Sequence, residues 1–309
     1  MAQVPGILQT IGGTPLVHLR NIVPPGSARL LVKVEGANPT GSMKDRMALA
    51  MIDAAERDGH LHAGGRVVEF TGGSTGSSLA LVCAARGYPL SIVTSTAASL
   101  EKRNHMRALG AAMTVIEADG GRVTPALSDQ MREATQQIIR ETGAYWTDQF
   151  NNKNQVTGYE ALAEELWAQT GGAIDAFVQV VGTCGSLRGV STALRARNPN
   201  VHVVAVEPTE SPVLSGGTPG SHRIEGTGMG QLPAMWDPSL VEAIEAVSSA
   251  DAMAMARRLA RDEAIFAGTS SGANVVAALR VAEQLGPDAT VVTLLVDHGL
   301  KYLSTEVYQ

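Results

Sequence analysis

Short runs of apolar and β-branched residues recur along the chain, and each is followed by a glycine- or serine-rich turn or by a helical pattern. Such runs are typical of strands that are buried on both faces of a parallel sheet, as VVTLLV at residues 291–296 illustrates. The pattern predicts strands at Leu30–Glu35, Arg66–Phe70, Leu90–Thr94, Met113–Glu117, Ala176–Val181, Val203–Glu207 and Thr290–Asp297.

Between the predicted strands, apolar residues recur at the spacing of amphipathic helices. These helices are predicted at Lys44–Asp58, Ser77–Arg86, Leu100–Leu109, Pro125–Glu141, Tyr159–Gln169, Leu187–Arg197, Asp251–Asp262 and Gly272–Leu285. Alternating strands and helices indicate an α/β fold with open, mostly parallel sheets and right-handed crossovers. Two such series, before and after about residue 147, indicate two α/β lobes, and we expect ligands in the cleft between them. The Gly- and Pro-rich stretch Ser211–Pro238 is predicted to be a long loop.

Composition excludes several classes of partner. The formal net charge of −6 argues against nucleic acid, because binding to phosphate backbones requires a basic surface. The two cysteines, Cys83 and Cys184, show no spacing that indicates a disulfide framework. The first residues do not resemble a secretion signal, and no apolar run reaches the ~18 residues of a membrane helix. We therefore expect no membrane partner and a cytoplasmic location.

Four glycine-rich segments lie at or near predicted strand ends: Thr71–Ser78, Gly182–Ser186, Gly226–Gly230 and Gly268–Ala273. The second directly follows a strand and precedes a helix, so its N–H groups and the helix N-terminus together favour a bound phosphate. For this loop alone, an ordinary tight turn between strand and helix is an equally good interpretation. The spacing of nucleotide-binding glycine motifs is absent.

Lys44 lies in the first turn of a predicted helix, within NPTGSMKDR at residues 38–46. The positive end of the helix dipole favours the neutral amine that a Schiff-base lysine requires. Taken alone, the segment fits a surface lysine paired with Asp45 better.

Eight segments together, however, resemble the cysteine synthase and cystathionine β-synthase family of fold-type II pyridoxal-phosphate (PLP) enzymes, in the order of that family. They are residues 11–19 (IGGTPLVHL), 35–48 (EGANPTGSMKDRMA), 71–80 (TGGSTGSSLA), 148–152 (DQFNN), 182–190 (GTCGSLRGV), 205–230, 267–274 (AGTSSGAN) and 296–305 (VDHGLKYLST). The resemblance implies an architecture like that of the tryptophan synthase β-subunit. We expect a smaller lobe at residues 41–147, and a larger PLP-binding lobe at residues 1–40 and 148–309.

The resemblance also implies which residues hold the cofactor. Lys44 is implied to be the Schiff-base lysine and the group that moves the substrate α-proton. Ser270 is implied to face the pyridine nitrogen, and Ser74 to contact the cofactor. The implied phosphate cradle consists of Gly182, Thr183, Cys184, Gly185 and Ser186.

For the substrate, the resemblance implies a carboxylate site that consists of Thr71, Gly72, Gly73, Ser74 and Thr75, with Gln149. Gly228 is implied to contact the substrate, in the segment Gly226–Gly230 that closes over the cofactor. The family usually has T-S-G-N-T-G at residues 71–76, so Gly72 and Ser74 replace a serine and an asparagine. Each missing hydrogen bond weakens its contact by about 1 kcal/mol, which does not abolish PLP binding.

Two further departures concern Cys184 and His298. The family usually has glycine at Cys184, a change that preserves the backbone donors unless the position requires a positive φ. His298 replaces a small hydroxyl residue, and we consider two interpretations: a titratable group that tunes activity, or a solvent-facing side chain. The histidines show no metal-binding spacing, so we predict no metal.

These features predict a β-replacement on an activated L-serine, with sulfide as the usual nucleophile and a homodimer as the family habit. The partners are therefore an amino-acid substrate and a small nucleophile. One alternative is a serine or threonine ammonia-lyase, which releases the eliminated product by hydrolysis. Another is a PLP-binding relative without activity that acts as a regulatory partner, an alternative that the altered 71–76 loop keeps open. The leaving group, whether acetyl, phosphate or hydroxyl, is not determined by the sequence.

Overall fold

A computed structural model describes residues 6–119 and 124–309 of the chain. Its strands are β1 (Leu16–His18), β2 (Arg29–Val34), β3 (Val67–Phe70), β4 (Leu90–Ser95), β5 (Ala112–Ile116), β6 (Tyr145–Trp146), β7 (Ala176–Val180), β8 (His202–Pro208), β9 (Ala243–Val247) and β10 (Thr290–Leu295). Its helices are α1 (Lys44–Arg57), α2 (Ser74–Arg86), α3 (Leu100–Ala108), α4 (Pro125–Thr142), α5 (Gln155–Thr170), α6 (Gly185–Arg197), α7 (Ser249–Asp262) and α8 (Thr269–Leu285). Within the described ranges, none of the helices has the length and apolar character that crossing a bilayer requires.

The chain divides into two compact units. The first comprises Met1–Ile11 and Asn38–Gln155, and the second comprises Gly12–Ala37 and Val156–Gln309. The predicted boundaries lie after residues 40 and 147, with residues 1–40 in the larger lobe. In the structure, Met1–Ile11 and residues 38–40 belong to the first unit instead, and so does the segment 148–155. Hydrogen bonds explain this placement, because the Gln149 N–H donates to Glu69 and the Gln155 side chain donates to the Gln149 carbonyl.

The first unit is built on a parallel four-stranded sheet in the order β5-β4-β3-β6. All four residues of β3 are buried. From β3 the chain proceeds outward through β4 and β5, and then returns to β6 on the other side of β3. The loops that follow β3 and β6 therefore lie side by side at the carboxyl edge of the sheet, the usual ligand position in α/β folds.

The second unit is built on a six-stranded sheet in the order β1-β2-β10-β7-β8-β9. The pair β1–β2 is antiparallel, whereas the other pairs are parallel. From β7 the chain continues to β8 and β9 on one side, while β10 lies on the other. This reversal of strand order makes the carboxyl ends of β7 and β10 the expected ligand edge of this sheet.

The α/β class with mostly parallel sheets is confirmed, and the differences from the predicted elements are local. The short strands β1, β6 and β9 were not predicted. Several helices begin earlier than predicted: α2 by three residues, α5 by four, α6 by two and α8 by three. In α2 the cause is visible, because the N–H groups of Gly76 and Ser77 donate to the Gly73 carbonyl and close a turn that precedes the apolar pattern.

Candidate functional site

Lys44 is the first residue of α1 and is half-buried in the first unit. Its neighbour Asp45 is fully buried, which contradicts the interpretation of this segment as a surface ion pair. The Asp45 carboxylate accepts hydrogen bonds from the Thr40 N–H (2.8 Å), the Thr40 hydroxyl and the Ser78 hydroxyl (2.6 Å). Because Ser78 belongs to α2, these bonds fix the start of α1, and with it Lys44, relative to α2.

The predicted carboxylate loop leads from β3 into the first turn of α2. The Thr71 hydroxyl accepts a hydrogen bond from the Gly73 N–H (3.1 Å), and the Thr94 hydroxyl donates to the Thr71 carbonyl (2.8 Å). A helix does not use the N–H groups of its first turn internally, and its N-terminus favours anions. The loop therefore has the chemistry that a carboxylate group requires.

Gln149 contacts this loop from the end of β6. Its side-chain carbonyl accepts from the Thr75 hydroxyl (2.7 Å), and its amide nitrogen donates to the Phe70 carbonyl (3.0 Å). Gln149 is only 5% exposed. The structure thus brings together two of the sequence-predicted substrate residues that are 74 positions apart in the chain.

The glycines of the loop differ in the space around them. A Cβ atom on Gly72 would meet no atom within 4 Å, whereas a Cβ on Gly73 would lie 2.5 Å from Cδ of Lys102. A side chain at Gly73 would therefore require the Lys102 side chain to move, while Gly72 leaves open space where the family usually has a serine. Ser74, which replaces the usual asparagine, is half-buried in the first turn of α2.

Lys102 was not predicted as a site residue, although it is 3% exposed and its side chain packs on Gly73. It lies on the same face of α3 as the buried Met106, one helical turn later. A Cβ on Gly76 would lie 2.3 Å from the Met106 sulfur, so both glycines allow α3 to approach α2 closely. In the sequence, Lys102 stands four residues before Met106, at a position where the helical pattern places an apolar residue. This was the signal that could have indicated a buried lysine.

Glu69 was also missed, and it lies in β3 directly below the loop. It is fully buried, and burial raises the pKa of its carboxyl to about 7, while hydrogen bonds from Thr147, Gln149, Trp146 and Phe70 act to lower it. A single acidic residue in an otherwise apolar strand was the sequence signal, because such a group is buried only when it is well hydrogen-bonded.

In the second unit, the predicted phosphate cradle follows β7 and enters α6, which begins at Gly185. A Cβ on Gly182 would lie only 2.3 Å from the Gly226 carbonyl oxygen, so no side chain fits there. The hydroxyls of Thr183 and Ser186 are both in mostly buried residues, and the Ser186 hydroxyl accepts from the Gln179 amide (3.2 Å). The loop is small, polar and placed at a helix N-terminus.

The sequence left open whether the position of Cys184 requires a positive φ. Its φ is +71°, so the position does require the left-handed conformation that favours glycine. Its thiol is buried, and burial raises the thiol pKa to about 12. Cys83, within α2, is also buried, with its thiol pKa likewise raised to about 12 by burial.

Ser270 is buried in the first turn of α8, beside the same sheet edge. One turn later, Asn274 accepts from the Val180 N–H (2.6 Å) and donates to the Gln179 side chain (3.0 Å) and to the Leu294 carbonyl (2.8 Å). Asn274 therefore joins α8 to both β7 and β10. Through Gln179, it is also connected to Ser186 of the phosphate loop.

The segment Gly226–Gly230 is held against the end of β7. The Thr227 hydroxyl and the Gly228 N–H both donate to the Val181 carbonyl, at 2.6 and 3.2 Å. The Gly228 carbonyl contacts Nε2 of His222 at 2.9 Å, while the Ile224 N–H donates to Nδ1 of the same ring. This pair of contacts indicates the tautomer with the proton on Nε2.

His298 has a structural role in the described contacts. Its Nδ1 accepts from the Leu300 N–H (3.2 Å), which caps the short 3-10 helix Gly299–Tyr302. Its ring packs edge-on against Phe266, with 5.7 Å between centroids, and its backbone bridges to Ala267. The backbone bridge to Ala267 thus places His298 beside the N-terminus of α8. The described contacts of its side chain, however, are the cap of the short helix and the packing against Phe266.

The donor set of the second unit fits PLP. Buried hydroxyls, backbone N–H groups at the N-terminus of α6 and a glycine without room for a side chain suit a phosphate group, and a buried serine hydroxyl suits a pyridine nitrogen. Across the residues that the structure describes, no three His, Cys, Asp or Glu side chains converge as metal ligands do.

Comparisons with known proteins agree with this chemistry. A family model described as pyridoxal-phosphate dependent enzyme matches residues 7–297. A cysteine synthase of Staphylococcus aureus strain Mu50 is 43% identical over 312 residues, which cover all of this chain and 99% of the relative.

Solved structures are similar over nearly the whole chain. A cysteine synthase from Entamoeba histolytica superposes with a TM-score of 0.92 at 34% identity, and the match covers 99% of this chain and 91% of that one. An O-ureido-L-serine synthase superposes with a TM-score of 0.93 at 35% identity, with coverage of 99% and 95%. The similarity therefore extends through both units.

Proposed function

The chain belongs to the pyridoxal-phosphate dependent enzyme family, and from this premise we propose that it catalyses a β-replacement on an activated L-serine. In this reaction the substituent on the serine Cβ leaves, and a small nucleophile takes its place. The cysteine synthases and the O-acetylserine sulfhydrylase among similar proteins support O-acetylserine as the amino-acid substrate and sulfide as the nucleophile, with O-phosphoserine as the alternative substrate.

When bound, PLP withdraws electrons from the substrate Cα, which makes the α-proton acidic and allows the β-substituent to leave. The ε-amino group of Lys44 would hold the cofactor, and the same amine, when free, moves the proton at the substrate Cα. The N–H groups of residues 182–186 would bind the phosphate. The neutral hydroxyl of Ser270 would face the pyridine nitrogen without holding it protonated, which favours loss of the β-substituent.

The substrate carboxylate would bind to the first turn of α2, with Gln149 holding the loop in place. Residues Thr71, Gly72, Gly73, Ser74 and Thr75 would form this site, in which the Gly73 N–H bonds to the Thr71 hydroxyl and the Thr75 hydroxyl bonds to Gln149. Gly228 would contact the substrate from its segment over β7. His298 is proposed to cap its short helix rather than to exchange protons.

The position of Lys44 is the observation that carries the proposal. It begins a helix, is half-buried, and precedes a carboxylate that is fixed by Thr40 and Ser78. A lysine held in this way has a defined location at a helix N-terminus, whose dipole disfavours a positive charge.

The reaction is tested by incubating the purified, PLP-loaded protein with O-acetylserine and sulfide. Cysteine and acetate should form in equal amounts, with little pyruvate or ammonia. Release of pyruvate and ammonia without cysteine would support the ammonia-lyase instead. A protein that converts none of O-acetylserine, O-phosphoserine and serine is a non-catalytic relative.

The role of Lys44 is tested separately by borohydride reduction followed by peptide mass spectrometry. The peptide that contains Lys44 should gain the mass of reduced PLP. In Lys44→Ala, that modification should vanish and turnover should fall by at least a thousandfold, because the group that moves the α-proton is lost. Modification of another lysine in the wild-type protein would contradict this assignment.

The nucleophile requires a screen, since an O-ureido-L-serine synthase is also similar over nearly the whole chain. Thiols, thiosulfate and amines should therefore be compared with sulfide at a fixed O-acetylserine concentration. The nucleophile with the highest kcat/KM identifies the reaction.

We further propose that the protein acts as a homodimer in the cytoplasm, as its resemblance to the synthases implies. Light scattering during size-exclusion chromatography should give twice the mass of the 32.2 kDa chain. Fractionation of the source cells should recover the protein with cytoplasmic markers.

A further inference from the structure

Four hydrogen-bond donors converge on the carboxyl group of Glu69. Its Oε1 accepts from the Phe70 N–H (2.8 Å) and from the Trp146 indole (3.1 Å). Its Oε2 accepts from the Thr147 hydroxyl (2.6 Å) and from the Gln149 N–H (2.9 Å). A carboxylate, which only accepts, matches four donors, whereas a neutral carboxyl would direct its own O–H at one of them.

These bonds compensate for a very short edge strand. The strand β6 contains only Tyr145 and Trp146, and its pairing with β3 ends there. Beyond it, the Thr147 N–H still reaches the Val68 carbonyl (3.2 Å), but the following backbone departs from the ladder. Glu69 therefore supplies, from a side chain, an acceptor for the Gln149 N–H that a longer strand would have provided within the ladder.

The segment that Glu69 holds, residues 147–149, leads to the carboxylate loop. Glu69 fixes the Gln149 backbone, and the Gln149 side chain bonds to both the Phe70 carbonyl and the Thr75 hydroxyl. A chain of hydrogen bonds thus runs from a buried strand residue to the first turn of α2. If Glu69 lost its acceptor oxygens, the Gln149 N–H would lose the acceptor that fixes the Gln149 backbone.

We propose that Glu69 is a positioning residue for the substrate carboxylate: through Gln149 it fixes Thr75 and the first turn of α2 in the geometry that binds the substrate. This inference rests on the proposed function for the assignment of residues 71–75 to the substrate. Glu69 acts through Gln149 and touches neither substrate nor cofactor in this role.

The first test is Glu69→Gln, which keeps the shape but replaces two acceptor positions by amide N–H groups that face donors. The measured quantity is the dissociation constant of L-alanine, which has the substrate's carboxylate and amine but no leaving group. Calorimetry with the PLP-loaded protein should show about tenfold weaker binding. The KM for sulfide should be unchanged.

The matched control is Glu56→Gln in the same unit. Glu56 accepts from the Tyr88 hydroxyl (2.8 Å) and pairs with Arg86, away from the carboxylate loop. This variant should bind L-alanine as the wild type does. An equal loss in both variants would mean that any lost carboxylate weakens binding, which overturns the inference.

A double-mutant cycle tests whether Glu69 acts through Gln149. The double variant E69Q/Q149A should bind L-alanine no more weakly than Gln149→Ala alone, because without the Gln149 side chain Glu69 has no group left to position. Effects that simply multiply would overturn the inference.

If Glu69→Gln fails to fold, Thr147→Val removes one of the four donors at constant shape and should weaken binding two- to threefold. Unchanged binding in that variant would also overturn it.

The two proposals fail separately, because L-alanine binding requires no turnover. A wild-type protein that binds L-alanine but converts no activated serine overturns the proposed function alone. A folded Glu69→Gln protein that binds L-alanine as tightly as the wild type overturns only the role of Glu69.

Discussion

Cys184 occupies a left-handed backbone conformation in a loop that otherwise consists of glycine and small hydroxyl residues. A residue with a Cβ atom in this region costs roughly 1–2 kcal/mol relative to glycine. We expect Cys184→Gly to be more stable than Cys184→Ala by about 1 kcal/mol, since both lose the thiol and only alanine keeps the Cβ. Urea denaturation of the two variants measures the difference. Equal stabilities would mean that the backbone at this position relaxes.

The raised pKa of Glu69 links stability to pH. Its carboxyl pKa is about 7 in the folded protein against an ordinary 4.5, so the folded state binds the proton more tightly than the unfolded state. The resulting stabilisation is complete below the ordinary pKa and is lost as the pH rises through 7. Relative to Glu69→Gln, the wild type should therefore lose up to about 3 kcal/mol between pH 4.5 and pH 8. Urea titrations at both pH values check this, and a constant difference would contradict it.

At the scale of elements, Asn274 joins three segments of the second unit. Replacement by alanine removes three hydrogen bonds and leaves the buried Val180 N–H without its acceptor. We expect Asn274→Ala to lower the free energy of unfolding by about 3 kcal/mol. The control is Asn198→Ala, at a half-buried position near the surface where one local bond to Asn200 is lost, and its effect should stay within about 0.5 kcal/mol. Similar losses in both variants would show that the Asn274 network does not stabilise the sheet edge.

The starts of the helices show what periodicity detects and what it misses. The apolar pattern predicted the body of α2, but not its first turn, which contains serine, threonine and glycine. These residues favour turns when considered locally. Here, hydrogen bonds to the Gly73 carbonyl and close packing of α3 place them in a helix. The same compositional reason applies to α6 and α8, and these first turns are the ones that carry the proposed binding groups.

The site was predicted in part for a similar reason. Motif order indicated Lys44, the loops at residues 71–76 and 182–186, and Ser270 as site residues, because their chemistry is visible in the residue types, and these roles stay predictions. Glu69 and Lys102 were missed, since their roles depend on neighbours that are distant in the chain, such as Gln149 and Gly73. Local pattern cannot indicate which remote donors a buried charge will meet.

For the whole molecule, alternating strands and helices were sufficient to predict two α/β series. They could not give the order of the strands, because β10 pairs with β2 across more than 200 residues and no local pattern encodes that pairing. Nor did they predict β1, whose three residues pair antiparallel at the edge of the second sheet. The boundary near residue 155 likewise follows from hydrogen bonds rather than from composition.

The burial of both cysteines has a practical consequence for redox chemistry. With thiol pKa values of about 12, each thiol is ionised in only about one molecule in 100,000 at pH 7, and the thiolate is the reactive form. Native protein should therefore not react with an aromatic disulfide reagent, whereas the unfolded chain should release two equivalents of chromophore. A reactive thiol in the native state would contradict this. A catalyst proposed to handle sulfide would then tolerate persulfides and oxidised glutathione, and any free thiol that accumulates during an assay would belong to the product.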